Sequence, residues 1–206
     1  MDTLQLLGLA LGTAFSAGLN VYATVAVLGA AEYFDLFNLP TGLSILGHPV
    51  VIFGSAALFF IEFFADKVPY VDTVWDGIHT FIRPVVAGAL SLGIFSEMPE
   101  AWKVIAALVG GSVALTSHGA KASTRVAANT SPEPFSNVVL SVVEDAVAIG
   151  LTTLAMTYPV ITAIVVVILM VLAFLIIRGI VRFFKRTFGP GAPPPGVPAN
   201  PQPPPA

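Results

Sequence analysis

The stretch Ser16–Thr24, which reads SAGLNVYAT, places small and polar residues inside the first long apolar segment of the chain. Lipid offers no hydrogen-bond partners, so an irregular backbone at membrane depth must be buried in protein or line a cavity. A similar stretch, Ser117–Thr124 (SHGAKAST), lies in the fourth apolar segment. Interruptions in corresponding halves of a membrane protein point to a transport site.

The composition around these stretches is that of an integral membrane protein. Of the 206 residues, 56% are hydrophobic and 10% are charged, whereas soluble domains carry about 25% charged residues. The mean hydropathy is +0.88. The absence of cysteine excludes disulfides and thiolate metal sites. The net charge of −3 gives no support for nucleic-acid binding, and the N-terminus lacks the basic segment of a cleaved signal peptide.

Apolar runs near the length that crosses a bilayer, about 20 residues, predict an all-α membrane bundle of six helices. The predicted spans are Thr3–Ala31, Pro49–Ala65, Pro84–Phe95, Val104–Ala128, Val138–Thr157 and Pro159–Ile177. The first is too long for an upright helix, at roughly 43 Å for about 1.5 Å per residue, so we expect a tilt or a break at Gly18 and Asn20. The third is short. It either extends backwards through Val74–Arg83 with a kink at Pro84, or forms a re-entrant half-helix.

The basic residues favour six crossings. With both termini cytoplasmic, only Lys103 lies outside, and eight of the nine basic residues lie inside: Lys67, Arg83, Lys121, Arg125, Arg178, Arg182, Lys185 and Arg186. A re-entrant third segment would divide them three against six, which the positive-inside rule disfavours. We therefore expect a multi-pass protein of the inner (plasma) membrane.

Two organisational features follow. Residues 1–188 form the predicted membrane domain, and residues 189–206, the tail, are predicted to be a disordered proline-rich cytoplasmic segment.

Three pairs of strings in the same order predict an internal repeat of residues 1–96 and 97–186: Ser16–Gly18 with Ser117–Gly119, Leu58–Glu62 with Leu140–Glu144, and Arg83–Val86 with Tyr158–Ile161. A three-span unit is odd-numbered, so its second copy would be inverted, as in many transporters.

Ionisable residues at membrane depth are the candidate site, because each costs at least about 2.5 kcal/mol unless it is paired or hydrated. Glu62 lies among aromatic residues, and Glu144 precedes Asp145. Neighbouring helical residues point in different directions, so we expect only Glu144, the match of Glu62, to face the polar seam. Each glutamate is either a proton or cation site, or half of a structural ion pair.

A basic stripe is the expected partner of these glutamates. Lys121 and Arg125 are four residues apart, and His118 precedes Lys121 by three, so all three lie near one helical face. The stripe either pairs with the glutamates or binds an anion or lipid headgroup, and His118 is a candidate proton relay. Asn20 either bonds across helices or caps a broken helix.

Other residues have expected structural roles. Gly18, Gly119 and Pro84 are predicted to break helices or to allow close packing. The stretch Val68–Arg83 is predicted to lie at the membrane interface, with Trp75 at headgroup level. No standard metal-ligand spacing occurs in it, so we predict no metal site and no cofactor.

Several strings together resemble the family catalogued as domain of unknown function 4126: Ser16–Gly29, Ala65–Asp76, Ser117–Arg125 and Asn129–Asn137. The resemblance covers roughly residues 5–175. It implies a compact bacterial integral membrane protein with no assigned reaction, and it supplies no catalytic residues.

The leading functional hypothesis is a carrier or channel-like transporter of a small polar or charged solute. Its predicted site is a polar seam of Asn20, Glu62, His118, Lys121, Arg125 and Glu144. The alternative is a non-transporting structural or accessory membrane protein. A third is an intramembrane lipid-modifying enzyme with Glu62 and Glu144 as acid and base, although no familiar hydrolase or NTPase motif is present. Expected partners are the bilayer, a small solute, a second copy of the chain and a protein that binds the tail.

Overall fold

The computed structural model describes residues 1–68, 71–129 and 134–188. These residues contain one 3₁₀ helix, Thr41–Gly47, and seven α-helices: α1 (Thr3–Leu19), α2 (Val21–Tyr33), α3 (Pro49–Ala65), α4 (Val71–Ile94), α5 (Glu100–Asn129), α6 (Pro134–Thr157) and α7 (Pro159–Phe188). No strand occurs in the described ranges, and the all-α prediction is confirmed. The predicted disordered tail lies outside these ranges.

The chain breaks at Asn20, where the backbone is extended with φ −148° and ψ 103°. This residue ends α1, and its Oδ1 begins α2 by accepting a hydrogen bond from the Ala23 amide at 2.9 Å. An asparagine suits both tasks because its side chain satisfies one of the free amides at a helix start. The sequence-predicted break therefore occurs at Asn20.

The break reverses the direction of the chain. Met1 lines one cavity with Asn38 and with Glu97, which follows the end of α4. Gly47, just before α3, packs on Glu32 near the end of α2. The start of α1 and the end of α2 thus lie at the same end of the bundle, which we call the Met1 end. We refer to α1 and α2 as the hairpin, and its tip at Asn20 lies inside the bundle.

The later helices pass between the Met1 end and the opposite end, which we call the Arg186 end. Helices α3, α5 and α7 run away from the Met1 end, and α4 and α6 return to it. For example, Gly110 of α5 packs on Ser91 of α4 near the Met1 end. Arg125 of α5 pairs with Asp72 of α4 near the Arg186 end.

These directions correct two expectations. A single first span over Thr3–Ala31 is wrong, because the chain reverses at Asn20 instead of continuing through it. The inverted repeat is not supported, because Gly18 packs directly on Ser117 and the helices that carry them, α1 and α5, both run away from the Met1 end. Inverted copies would run in opposite directions.

Among the described residues, three helices are long and apolar enough to cross a membrane: Val71–Ile94, Asn137–Thr157 and Pro159–Thr187. A fourth span arises if the 3₁₀ helix and α3, which are bent by 69°, are counted together. Helix α4 contains Pro84 and begins at Val71, so the short third span extends backwards. The predicted interfacial segment Val68–Arg83 is therefore mostly α4, and its Asp72, Asp76, His79 and Arg83 are buried.

Candidate functional site

A buried cluster of charged side chains lies between the hairpin tip and the Arg186 end. We call it the charge cluster, and its nine residues are Glu62, Asp66, Asp72, Asp76, Arg83, Lys121, Arg125, Glu144 and Asp145. The most exposed of these side chains, that of Glu144, is only 11% exposed. Six carboxylates face three cations, so the cluster carries a formal excess of three negative charges.

The Lys121 ammonium lies at the centre of the charge cluster. Oxygen atoms from α1, α3, α4 and α6 surround its Nζ within 4.0 Å: Asp66 Oδ2 at 2.8 Å, the Leu19 carbonyl at 3.2 Å, Glu62 Oε1 at 3.4 Å, Glu144 Oε2 at 3.8 Å and Asp76 Oδ1 at 4.0 Å. One cation therefore joins four helices.

Arg83 links α4 to α3, the hairpin and α5. Its Nη2 donates to Glu62 Oε1 at 2.5 Å and lies 3.4 Å from Asp76 Oδ1. Its Nη1 donates to the Gly18 carbonyl at 3.0 Å and to His118 Nδ1 at 2.6 Å. Because arginine only donates, His118 Nδ1 must accept, and the ring proton lies on Nε2. That Nε2 donates to the Asp76 carbonyl at 3.1 Å, which fixes one neutral tautomer of His118.

Arg125 closes the cluster toward the Arg186 end. Its Nη2 and Nε donate to Glu144 Oε2 at 2.7 and 3.2 Å. Its Nη1 donates to the Asp66 carbonyl at 2.8 Å and lies 3.6 Å from Asp72 Oδ1. Arg125 therefore joins α5 to α6, to the end of α3 and to the start of α4.

Lys67 lies beside the cluster, just after the end of α3. Its Nζ is 3.0 Å from the centre of the Phe63 ring and 3.4 Å from Ser141 Oγ. Partial burial lowers the pKa of the Lys67 ammonium, and the carboxylates of Asp145 and Asp66 oppose that shift. The side chain adds positive charge at the rim of the cluster without pairing directly with its carboxylates.

The hairpin tip takes part in the cluster through both backbone and side chain. The last carbonyls of α1, at Gly18 and Leu19, accept hydrogen bonds from Arg83 and Lys121. These carbonyls carry the partial negative charge of a helix C-terminus, which favours a nearby cation. The side chain of Asn20 donates to Asp145 Oδ1 at 2.8 Å.

The close approach of α1 to α5 depends on Gly18. A Cβ at this position would overlap the Ser117 hydroxyl and the Ala114 carbonyl. Ser117 Oγ also donates to the Phe15 carbonyl at 3.0 Å, which fixes the crossing. The small residue thus brings the carbonyl end of α1 within reach of Lys121.

A cleft of about 200 Å³ reaches the cluster between α4 and α5. Its lining includes Asp72, Asp76, Thr80 and Arg125. Both carboxylate oxygens of Asp72 and of Asp76 are buried and accept no hydrogen bond from the residues that the structure describes. Their nearest cations are Arg83 and Lys121 for Asp76 and Arg125 for Asp72, at 3.4–4.0 Å.

The sequence profile of a family described as a domain of unknown function, DUF4126, matches residues 7–179. The chain belongs to the DUF4126 family. The matched range contains the hairpin tip and the whole charge cluster, and it confirms the resemblance noted from the sequence. Comparisons with curated proteins and with solved structures gave no match.

In this DUF4126 protein, most of the predicted seam residues meet. Glu62, Lys121 and Glu144 lie in one connected network with Arg125, and Asn20 bonds Asp145 beside it. His118 contacts this network through Arg83. The other predicted positions are structural: Gly18 is at a close crossing, Pro84 lies inside α4, and α5 runs without a break through Gly119.

The seam predicted for this DUF4126 chain omits five members of the charge cluster: Asp66, Asp72, Asp76, Arg83 and Asp145. Asp72, Asp76 and Arg83, together with the buried His79 outside the cluster, recur at intervals of three or four residues, which is the signature of one helical face. Treating the segment as a helix finds them. Asp145 is left out of the prediction because it adjoins Glu144. The two carboxylates in fact bind different elements, Asp145 the hairpin and Glu144 α5.

Proposed function

We propose that this DUF4126 protein is a multi-pass membrane carrier or channel for a small polar or charged solute, with the charge cluster as its binding site. The observation that carries the proposal is the buried excess of carboxylates over cations: six carboxylates face the three cations of the cluster, with Lys67 as a fourth cation at the rim. Removing one partner of a buried ion pair is strongly destabilising because it leaves a charge uncompensated. A cluster that only held helices together would be expected to balance its charges, so this excess favours binding of additional cations or protons.

In this proposal, the three apolar helices α4, α6 and α7 cross the inner membrane together with α3 and α5, and the hairpin enters and leaves on one side. Broken helices whose ends point at a buried polar site are typical of secondary transporters. Three of the eight basic residues first assigned to the cytoplasm, Arg83, Lys121 and Arg125, are buried. Five remain at the Arg186 end against Lys103 at the Met1 end, so the Arg186 end is cytoplasmic by the positive-inside rule. Met1 then lies on the outer side, in place of the expected cytoplasmic N-terminus.

Uptake by proteoliposomes containing the purified protein tests the proposal. A panel of small labelled solutes, both neutral and cationic, identifies what wild type transports above empty liposomes. Glu62→Gln and Glu144→Gln should reduce that uptake at least tenfold while the protein stays monodisperse. Glu100→Gln is the matched control, because Glu100 is exposed and pairs only with Lys103 among the described residues. Uptake that the two cluster variants leave unchanged would contradict the assignment of the site.

A structural or accessory role is the second candidate, because Arg83, Lys121 and Arg125 are all paired and together join five helices. In that case the cluster variants would change activity in cells only in proportion to the amount of folded protein. A second copy of the chain and a protein that binds the tail are further proposals, and the tail lies outside the described residues.

A further inference from the structure

We propose that the Lys121 ammonium occupies the binding site of a small primary ammonium ion, which enters in exchange for the proton of Lys121. The inference rests on the proposed transport function for its physiological meaning. The site itself is defined by the geometry around Lys121 and is testable without transport. The inference names the class of solute and the coupling ion, neither of which the proposed function specifies.

The atoms around Lys121 Nζ are those that would bind a free ammonium ion. Four carboxylates and the carbonyl that ends α1 lie within 4.0 Å of it. The carbonyl adds the negative end of a helix dipole, and broken-helix transporters use such ends to bind cations. The side chain therefore acts as a tethered cation in a site built from five oxygens.

Occupancy by Lys121 and by a free cation are mutually exclusive, because both would place a positive nitrogen at one point. When Lys121 releases its proton to water, its amine becomes neutral and the surrounding carboxylates lose one positive partner. A free ammonium ion then restores that charge. One cation enters as one proton leaves, so the exchange is electroneutral.

A cleft approaches this site from one side. It lies between α4 and α5 and is lined by Asp72 and Asp76, whose buried carboxylate oxygens accept no hydrogen bond from the described residues. Asp76 Oδ1 lies 4.0 Å from Lys121 Nζ, so Asp76 stands between the cleft and the site. In this proposal the cation enters from the cleft.

The geometry favours an ammonium ion over a metal ion. Hard metal ions take about six oxygens at about 2.0–2.6 Å. Within the described ranges, no three His, Asp or Glu side chains are arranged to hold a metal ion. The oxygens around Lys121 are spread between 2.8 and 4.0 Å, which suits N–H donors that point in several directions.

Chemical rescue in purified protein tests the site. Lys121→Ala should unfold at a lower temperature than wild type, and methylammonium should restore several degrees. Sodium and tetramethylammonium at equal concentration should not, because neither carries an N–H donor. Lys103→Ala is the matched control, a lysine on the same helix whose partner is the exposed Glu100. An equal rise in the unfolding temperature of Lys121→Ala with all three cations would overturn the inference. A rise with sodium alone would show that the site does not select an ammonium ion.

Proton release supplies an independent readout that requires no variant to fold. In weak buffer, methylammonium binding to wild type should release about one proton per bound cation. Stabilisation of wild type by methylammonium without proton release would overturn the exchange.

Flux measurements separate the two proposals. Wild-type ammonium uptake that drives protons outward, and that loses this coupling in Lys121→Ala, supports both. Uptake that is unchanged in Lys121→Ala overturns the Lys121 site and leaves transport standing. Rescue of Lys121→Ala by methylammonium with no uptake of any solute supports the cation site and contradicts the transport function.

Discussion

The side-chain amide of Asn20 donates a hydrogen bond to Asp145 Oδ1 at 2.8 Å, and this contact fastens the hairpin tip to α6. Asn20 also caps α2, so a single side chain both reverses the chain and anchors the reversal.

Replacing Asn20 by alanine should therefore destabilise the protein by about 1–3 kcal/mol. The change removes a helix cap and leaves a buried carboxylate with one hydrogen bond fewer. The free energy of unfolding, from denaturant titration in detergent, measures the effect. Asn38→Ala, in the connection at the Met1 end, is the control, and equal losses in the two variants would contradict the anchoring role.

Gly18→Ala should cost about 1–3 kcal/mol, because the added methyl group forces α1 away from α5. Gly150→Ala is the matched control: among the described residues, no atom beyond its own stretch of helix lies within 4 Å of its Cβ position, so it should be neutral or stabilising. Gly119→Ala should also be tolerated, since its Cβ would meet only Ile177 Cδ1 at 3.5 Å. Thermal unfolding compares the three, and a greater loss at Gly119 than at Gly18 would be inconsistent with the observed crossing.

Arg83→Gln should cost about 3–5 kcal/mol, because Glu62 loses its shortest ion pair in a fully buried position. Arg83→Lys should also be impaired, since one ammonium cannot replace the two guanidinium nitrogens that bond Gly18 and Glu62. Adding Glu62→Gln to Arg83→Gln should recover part of the loss. A double-mutant cycle on the unfolding free energy measures the coupling, and additive losses would argue against a direct pair.

Asp72→Asn should leave the unfolding temperature unchanged or raise it. The substitution removes one of the three excess negative charges, and the Asp72 carboxylate accepts no hydrogen bond from the described residues. Glu62→Gln in the same cluster should instead lower the unfolding temperature, because Glu62 pairs with both Arg83 and Lys121. Similar decreases in the unfolding temperature of both variants would show that the excess negative charge does not destabilise the folded protein.

The sequence predicts the positions and the polarity of the helices better than the direction in which each helix runs. Helix α3 begins at Pro49 and ends at Ala65, as predicted, and the first apolar segment breaks at Asn20. Hydropathy reports whether a segment prefers lipid, but it carries no information on whether the chain continues or turns back after a break. That choice depends on contacts with α4, α5 and α6, which are distant in sequence.

The failure to predict part of the charge cluster from the sequence has a similar cause. A helix face with Asp72, Asp76 and Arg83 has the same periodicity whether it faces water or opposite charges inside a bundle. The pattern therefore predicts a helical face at the membrane interface, whereas the structure buries it against Lys121 and Arg125. Only the arrangement of α5 relative to α4 distinguishes the two environments.

The hairpin also imposes an order on biosynthesis. Its tip leaves the ribosome before the helices that it binds, because Asn20 bonds a residue 125 positions later and Leu19 bonds one 102 positions later. At about 5–20 residues per second, the later partner of Asn20 is made about 6–25 s afterwards. The hairpin tip thus reaches its final place only after α5 and α6 have been made, and until then it lacks the contacts that hold it.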